Sequence, residues 1–214
     1  MLSEQAGLPG AAFRKLDETA DERFYATARL VTHIDAGAIA AVTALYREFF
    51  RPGSDLLDLM SSWVSHLPAD VSYREVVGGG MNADELAANP RLSRWFVQDL
   101  NRSPVLPLPD GTFDGAAMCV SVQYLQRPVD VMTEVRRVLR PGAPFVVSFS
   151  NRCFPTKAVA IWTSLAPSEQ VELVGHYLRS AGFADVESRD AGRSGGDPLW
   201  AVIGRAPAAR LQAG

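Results

Sequence analysis

The chain has 214 residues, with 47% hydrophobic and 21% charged residues and a net charge of -3. This length predicts one domain with a substantial core. The acidic balance, without any run of Lys and Arg, argues against a nucleic-acid-binding protein. Two cysteines do not make a disulfide framework, and no apolar run approaches the roughly 20 residues that span a bilayer. We therefore expect a cytoplasmic protein with neither a membrane nor a nucleic-acid partner, and the oligomeric state stays open.

The N-terminal part of the sequence has no regular pattern. Residues 1–22 mix Gly, Pro and charged residues without a sustained period, which predicts a mobile or loosely docked lead-in. We predict residues 1–35 as an N-terminal extension that acts as a lid. Apolar residues at helical spacing then predict a helix over residues 36–50, with Asp35 as its cap.

Short apolar runs predict seven strands. Residues 55–60 form the first strand, and a Ser-rich turn and a short helical piece ending at His66 follow it. Asn82 with Glu85 three residues later predicts a capping box at the start of a helix. The other predicted strands cover residues 73–77, 94–97, 113–122, 144–149, 183–189 and 199–203.

The alternation of strands and helices predicts a doubly wound α/β fold. The fourth and fifth strands are almost continuously apolar, which indicates burial on both faces and hence a mostly parallel sheet with helices on both sides. The last two strands are close enough in sequence to form an antiparallel pair. We predict that this domain covers residues 36–205 and that residues 206–214 form a flexible tail.

Four sequence features follow one another in a fixed order. Asp58 lies near the end of the first strand, and Gln98 and Asp99 end the third. The block LPDGTFD at residues 108–114 leads into the fourth strand, and LRPG at 139–142 precedes the fifth. In this order and spacing the sequence resembles the class I S-adenosylmethionine-dependent methyltransferases, particularly the methyltransferase type 11 group, over roughly residues 56–149. The resemblance implies a Rossmann-like methyltransferase fold, S-adenosylmethionine as cofactor and methyl transfer to a small-molecule acceptor.

The sequence departs from the family at the first turn. The glycines of the family's D-x-G-x-G-x-G motif fall on Met60, Ser62 and Val64, so the glycine-rich motif is degenerate. Glycine allows the backbone to approach a ligand without a Cβ in the way. The acidic residue that ends the family's second strand and holds the ribose falls on Gly80.

The resemblance nevertheless implies a cofactor site at this turn. Ser61, Ser62 and the backbone N–H groups are expected to bind the methionine carboxylate, helped by the helix start expected after Trp63. Asp58 is expected to receive the ammonium group through water or neighbouring backbone.

The remaining implied contacts come from later strands. Met81 is expected to pack on the adenine, Asn82 to bond near the ribose and Asp99 to accept from the adenine amino group. The full set of predicted cofactor-binding residues is Asp58, Met60, Ser61, Ser62, Trp63, Gly80, Met81, Asn82, Gln98, Asp99 and Ser121.

A second hypothesis stays open beside this one. The family's glycines and the acidic residue at the end of its second strand are missing here. The same losses are expected of a domain that no longer binds the cofactor and serves as a non-catalytic ligand-binding or regulatory module. A nicotinamide-dependent enzyme is less favoured, because Gly78-Gly79-Gly80 is not a G-x-G-x-x-G fingerprint.

His33 and Tyr124 are the predicted catalytic residues. A histidine titrates near neutral pH and suits a general base, and Tyr124 follows the fourth strand, where the resemblance places the acceptor. The structural alternatives are a His33 bonded to Asp35 and a Tyr124 packed under the next helix. Arg152 and Lys157, after the fifth strand, suit an anionic acceptor, and the three scattered histidines give no metal site.

Overall fold

Seven strands form one sheet with the order β3-β2-β1-β4-β5-β7-β6. The structure is a computed structural model and describes residues 5–192 and 196–208. β7 is antiparallel to both of its neighbours, and the pairs among the first five strands are parallel. The predicted doubly wound, mostly parallel fold is thus confirmed. The strands are β1 Asp55–Leu59, β2 Glu75–Gly80, β3 Arg94–Val97, β4 Gly115–Cys119, β5 Pro144–Phe149, β6 Ala184–Asp190 and β7 Trp200–Arg205.

Helices cover both faces of this sheet because successive strand residues point to opposite sides. Leu56 and Val146 pack with α2, whereas Leu57 and Val147 belong to the core cluster that contains α4, α5 and α6. The helices are α1 Asp21–Phe24, α2 Ala36–Phe49, α3 Ala83–Ala88, α4 Pro128–Val138, α5 Ala160–Ser164 and α6 Pro167–Ser180. As predicted, the Asp35 carboxylate caps α2 by accepting from the Ala38 N–H at 2.8 Å.

Two local predictions around β2 are wrong. Residues 60–74 contain no helix, so the short helical piece before His66 does not form. β2 begins later than predicted and continues through its three glycines to Gly80. A Cβ at Gly78 or Gly79 would collide with Leu92 or Phe96, so close packing across the sheet explains these glycines. β4 is also shorter than predicted, at Gly115–Cys119.

The described part of the N-terminal lead-in is docked on the core, which corrects the prediction of a loose segment there. Phe13 is fully buried in the core, and its carbonyl accepts from Gln126 Nε2 at 3.0 Å. Lys15 pairs with Asp21 at 2.5 Å, and both side chains are buried. We call residues 13–21 the anchor segment. The domain boundary at residue 35 stays a prediction.

The C-terminal tail lies mostly outside the described residues. Ala206 within it is held, since its N–H donates to Ala143 O at 2.9 Å and its carbonyl accepts from the Gly142 N–H at 2.8 Å. Residues 209–214 of the predicted flexible tail fall outside the described part. In the described ranges no helix combines the length and apolar character needed to cross a membrane.

Candidate functional site

A cavity of about 310 Å³ opens at the carboxyl ends of the parallel strands, where ligands bind in open α/β sheets. Residues 25–34, which we call the roof segment, run over it between α1 and α2. Every residue predicted to bind the cofactor or to act in catalysis lines this one cavity: Asp58, Met60, Ser61, Ser62, Trp63, Gly80, Met81, Asn82, Gln98, Asp99 and Ser121, together with His33 and Tyr124. The topology thus brings the whole set together, and the role of each member stays a prediction.

The turn after β1 forms the cavity floor in a strained conformation. Met60, at the first expected glycine position, has a φ of 55°, in the left-handed region that favours glycine. His66 and Val120, which also line the cavity, have φ values of 53° and 47°. Strain of this kind persists where surrounding contacts enforce it and is common at functional sites.

The turn crosses the end of β2, which explains the glycine at position 80. The Ser61 N–H donates to Gly79 O at 2.8 Å. A Cβ at Gly80 would collide with the carbonyl oxygen of Ser61. Since backbone occupies this space, no side chain fits, and an acidic residue for a ribose is sterically excluded here.

Glu85 is a site residue that the sequence interpretation missed. Its buried carboxylate accepts from Ser62 Oγ at 2.6 Å and from the Arg29 N–H at 2.7 Å. Only half of the predicted capping box forms. Asn82 Oδ1 accepts from the Glu85 N–H at 3.0 Å, but the Glu85 side chain bonds to Ser62 and Arg29 instead of the Asn82 backbone. The box pattern located Glu85 on the chain but gave no signal for these distant partners.

Asn82 and Trp63 hold the roof segment from below. Asn82 Nδ2 donates to the carbonyls of Tyr25 at 2.8 Å and Ala26 at 3.2 Å. Trp63 Nε1 donates to Val31 O at 3.0 Å. Because both Nδ2 hydrogens are engaged, the ribose contact expected of Asn82 is left to Oδ1, which already accepts from the Glu85 N–H.

Asp58 is buried beneath the cavity next to the turn. Desolvation raises the pKa of its carboxyl to about 6, while hydrogen bonds from Ser61 and Ser65 act in the opposite direction. Ser61 Oγ donates to Asp58 Oδ2 at 2.6 Å. Near neutral pH the carboxylate is therefore largely ionised and carries a negative charge beside the cavity.

Two residues after β3 differ in their orientation. Asp99 lines the cavity with one carboxylate oxygen bonded to the Asn101 N–H at 2.8 Å, and burial raises the pKa of this carboxyl. Gln98 instead directs its amide to the carbonyls of Ser103 and Val105, at 2.5 and 2.9 Å. Of the two, Asp99 is the better placed to accept a ligand hydrogen bond.

Aromatic residues line the side of the cavity next to β4 and β5. The His33 ring contacts Phe154 edge-on, with centroids 5.3 Å apart, and burial lowers the pKa of His33. The Tyr124 hydroxyl accepts from the Phe154 N–H at 2.9 Å, and burial raises the pKa of Tyr124 to about 12. His33 is thus a neutral imidazole that can accept a proton near pH 7, whereas Tyr124 is suited to orienting a substrate.

The comparisons agree with this geometry. Residues 64–147 match a family model described as a methyltransferase domain. The chain is similar to a solved S-adenosylmethionine-dependent methyltransferase from Aquifex aeolicus, with 17% identity, a TM-score of 0.59 and coverage of 79% of this chain and 91% of that chain. The protein has the class I methyltransferase fold. This confirms the resemblance inferred from the sequence.

Two further structures show the same fold. A putative methyltransferase of Haloferax volcanii, solved in complex with the Trm112 methyltransferase activator, has 14% identity, a TM-score of 0.62 and coverage of 79% and 90% of the two chains. The cyclase SpnF has 19% identity, a TM-score of 0.59 and coverage of 78% and 81%. No curated protein sequence matches the chain.

Two predicted anion-binding residues of this methyltransferase fold are engaged elsewhere. Lys157 is fully buried, and its Nζ lies 3.2 Å from Asp17 Oδ2 and 3.4 Å from Asp21 Oδ1. Arg152 lines the cavity, but its Nε pairs with Asp197 Oδ1 at 2.7 Å. The prediction that Arg152 and Lys157 bind an anionic acceptor is therefore wrong for Lys157. Asp35, offered as a partner for His33, bonds instead to the N–H groups of Ala38 and Asp197.

The cavity suits the cofactor of this fold family in a modified way. Side chains of the turn are already bonded within the protein, and Gly80 leaves no place for a ribose acid. The backbone N–H groups of residues 62–65, however, donate to no acceptor in the described part of the chain. Ser121 Oγ is buried in the cavity wall without a partner. Buried polar groups are normally bonded, so the unpaired Ser121 hydroxyl indicates a polar ligand, and the free N–H groups of the partly exposed residues 62–64 are available to it.

Proposed function

We propose that the protein binds S-adenosylmethionine in this cavity and transfers its methyl group to a small-molecule acceptor. One observation carries the proposal: all the residues predicted from the family resemblance line a single cavity at the ligand edge of a class I methyltransferase fold. The cavity volume lies at the lower end of the roughly 300–1,000 Å³ range of small-molecule sites.

Different residues of the chain bind different parts of the cofactor. Backbone N–H groups of residues 62–65 hold the methionine carboxylate, and the Asp58 carboxylate offsets the positive charge of the cofactor. Asp99 accepts from the adenine amino group, and Met81 packs on the ring. This pattern replaces the usual glycine-rich cradle with backbone groups of a serine-rich turn.

The cofactor, when bound, supplies an electrophilic methyl group. The residues around it then have to align the acceptor with that group and exclude water. The roof segment covers the cavity, and Tyr124 orients the acceptor. His33 takes up a proton from an acceptor that carries one, since its neutral imidazole faces the cavity.

Calorimetric titration with S-adenosylmethionine and S-adenosylhomocysteine tests the proposal. We expect both to bind, and Asp99→Asn to weaken binding about tenfold, which corresponds to about 1.4 kcal/mol for a lost contact. Asp84→Asn is the matched control, because Asp84 is an exposed carboxylate on α3 that does not line the cavity. Folded protein that releases no heat with either ligand would refute the proposal.

A non-catalytic ligand-binding module is the second candidate. The observation in its favour is that the side chains of Ser61, Ser62 and Asn82 donate hydrogen bonds to other groups of the protein. Fold alone does not fix chemistry, and SpnF, with the same fold, is described as a cyclase. Binding of S-adenosylhomocysteine without methyl transfer to any acceptor in a small-molecule panel would favour this candidate.

A further inference from the structure

We propose that the acceptor is a small aromatic molecule with a negatively charged group, and that Arg29 binds this group. The inference rests on the proposed function, because it names the substrate class of the same cavity. The evidence is an unpaired cation in the roof segment, the engagement of the other charges in the cavity wall, and aromatic residues around that cation.

Arg29 has a buried nitrogen that bonds to nothing in the protein. Its Nη2 donates to Phe24 O at 2.8 Å, and its guanidinium lies over the Phe24 ring at 4.6 Å and near the Phe154 ring at 5.7 Å from the centroids. Nη1 is buried without a hydrogen-bond partner. A guanidinium stays charged in proteins, and a buried charge is costly unless it is paired. An anionic ligand would supply the missing partner.

The other charged groups of the cavity wall already have partners. Glu85 accepts from the Arg29 backbone and from Ser62, one bond to each carboxylate oxygen. Asp58 is bonded to Ser61, and Arg152 to Asp197. Among the described residues that line the cavity, the buried side-chain nitrogen or oxygen atoms without a partner belong to Arg29 and Ser121.

The surroundings of Arg29 indicate the rest of the ligand. Tyr25, His33, Tyr124 and Phe154 line the cavity beside it, and the last two follow β4 and β5. The residues assigned to the cofactor's adenosine, Met81 and Asp99, follow β2 and β3 on the other side of β1. The Arg29 guanidinium, near the Phe154 ring, therefore belongs to the acceptor half of the cavity. Aromatic walls with one cation suit a flat ring that carries a carboxylate or phosphate.

Titration of the full-length protein with four small probes tests this inference. Benzoate and phenyl phosphate carry the charge as a carboxylate and as a phosphate, benzamide is neutral, and benzylamine is cationic. In the presence of saturating S-adenosylhomocysteine, we expect at least one of the two anions to bind tenfold or more tightly than benzamide and benzylamine. The better anion identifies the group that the acceptor carries.

Variants then assign the preference to Arg29. Arg29→Met should abolish the preference for anions, and Arg29→Lys should retain part of it, since Lys keeps the charge but not the planar fork. Arg23→Met is the matched control and should keep the full preference, because Arg23 is exposed on α1 and does not line the cavity. Thermal unfolding verifies that each variant is folded, and the Lys variant preserves the test if the Met variant is not.

Each other outcome is decisive. Equal affinity of the wild type for all four probes, or an anion preference that survives in Arg29→Met, would overturn the inference and leave the proposed function standing. Loss of S-adenosylhomocysteine binding in Arg29→Met, with benzoate unaffected, would also overturn it by assigning Arg29 to the cofactor carboxylate. The titrations are repeated without S-adenosylhomocysteine. If that ligand never binds but the anion preference is present and depends on Arg29, the proposed function fails and the anion site stands.

Discussion

The anchor segment and the roof segment are neighbours in sequence but are held in opposite ways. Residues 13–21 are fixed by a buried aromatic ring and by ion pairs from Lys15 and Lys157, the only lysines in the chain. Residues 25–33 are held by a few hydrogen bonds with Asn82, Trp63 and Glu85, and Leu30 and Val31 are each 56% exposed, while Ile34 at the end of the segment is buried. The difference suggests that a cover over a ligand cavity is held by weak contacts, while its attachment to the core is strong.

Removing the buried lysine should break the anchor. Lys157→Met removes the cation beside Asp17 and one of the two cations beside Asp21, which keeps Lys15, and the loss of hydrogen bonds to a charged group costs roughly 1.5–3 kcal/mol. We expect urea unfolding to show a loss of this size. Arg152→Met is the control, because Arg152 is 61% exposed and such a pair contributes at most about 1 kcal/mol. Equal effects of the two substitutions would show that the buried Lys157 holds the anchor segment no more strongly than an exposed ion pair holds its own surroundings.

The pH dependence of stability should report on Asp58 under the roof. Its pKa is about 6 in the folded protein against 3.8 for an unperturbed carboxyl, so between these values the folded state binds more protons than the unfolded state. The contribution of Asp58 therefore falls as pH rises from about 4 to 6 and is constant above, by an amount of up to about 3 kcal/mol.

Comparison with Asp58→Asn isolates this contribution from that of other carboxyls. Urea unfolding across pH 4 to 8 should give a wild-type stability that falls, relative to the variant, over the interval from pH 4 to 6. A constant difference between the two proteins over that range would show that Asp58 titrates normally.

A side chain at position 80 should loosen the floor that holds the roof. Gly80→Ala places a Cβ against the Ser61 carbonyl, and overpacking of this kind costs roughly 1–3 kcal/mol. Gly175→Ala in α6 is the control, because its Cβ would meet only the flexible guanidinium of Arg179, at 3.2 Å, and alanine favours the helix. Urea unfolding should show a lower free energy of unfolding for Gly80→Ala. For Gly175→Ala the free energy of unfolding should be unchanged or slightly higher.

The smallest effect is expected from loosening the roof alone. Trp63→Phe keeps an aromatic ring but removes the hydrogen bond to Val31 O, which contributes roughly 0.5–1.5 kcal/mol. Limited digestion with trypsin should then cleave several-fold faster after Arg29, in the roof, with no change after the buried Lys15. Faster cleavage at both sites would mean that the two segments open together.

Local patterns were sufficient to predict much of the fold. β3 at Arg94–Val97 and β5 at Pro144–Phe149 have the bounds predicted from the sequence, because apolar runs and turn residues act over a few positions. The set of cavity residues was also predictable, since the carboxyl ends of parallel strands meet at one edge of a sheet.

The tertiary structure alone decided how those residues are used. The irregular composition of residues 1–22 predicted a loose segment, whereas pairing of Lys157 with Asp17 and Asp21 from the far end of the chain fixes the anchor. Likewise, Glu85 was predicted as a helix cap but bonds to Ser62 and Arg29. Sequence fixes the polarity and spacing of such groups. Which of them satisfy one another, and which remain free for a ligand like Arg29 Nη1, depends on contacts between distant segments that no local pattern encodes.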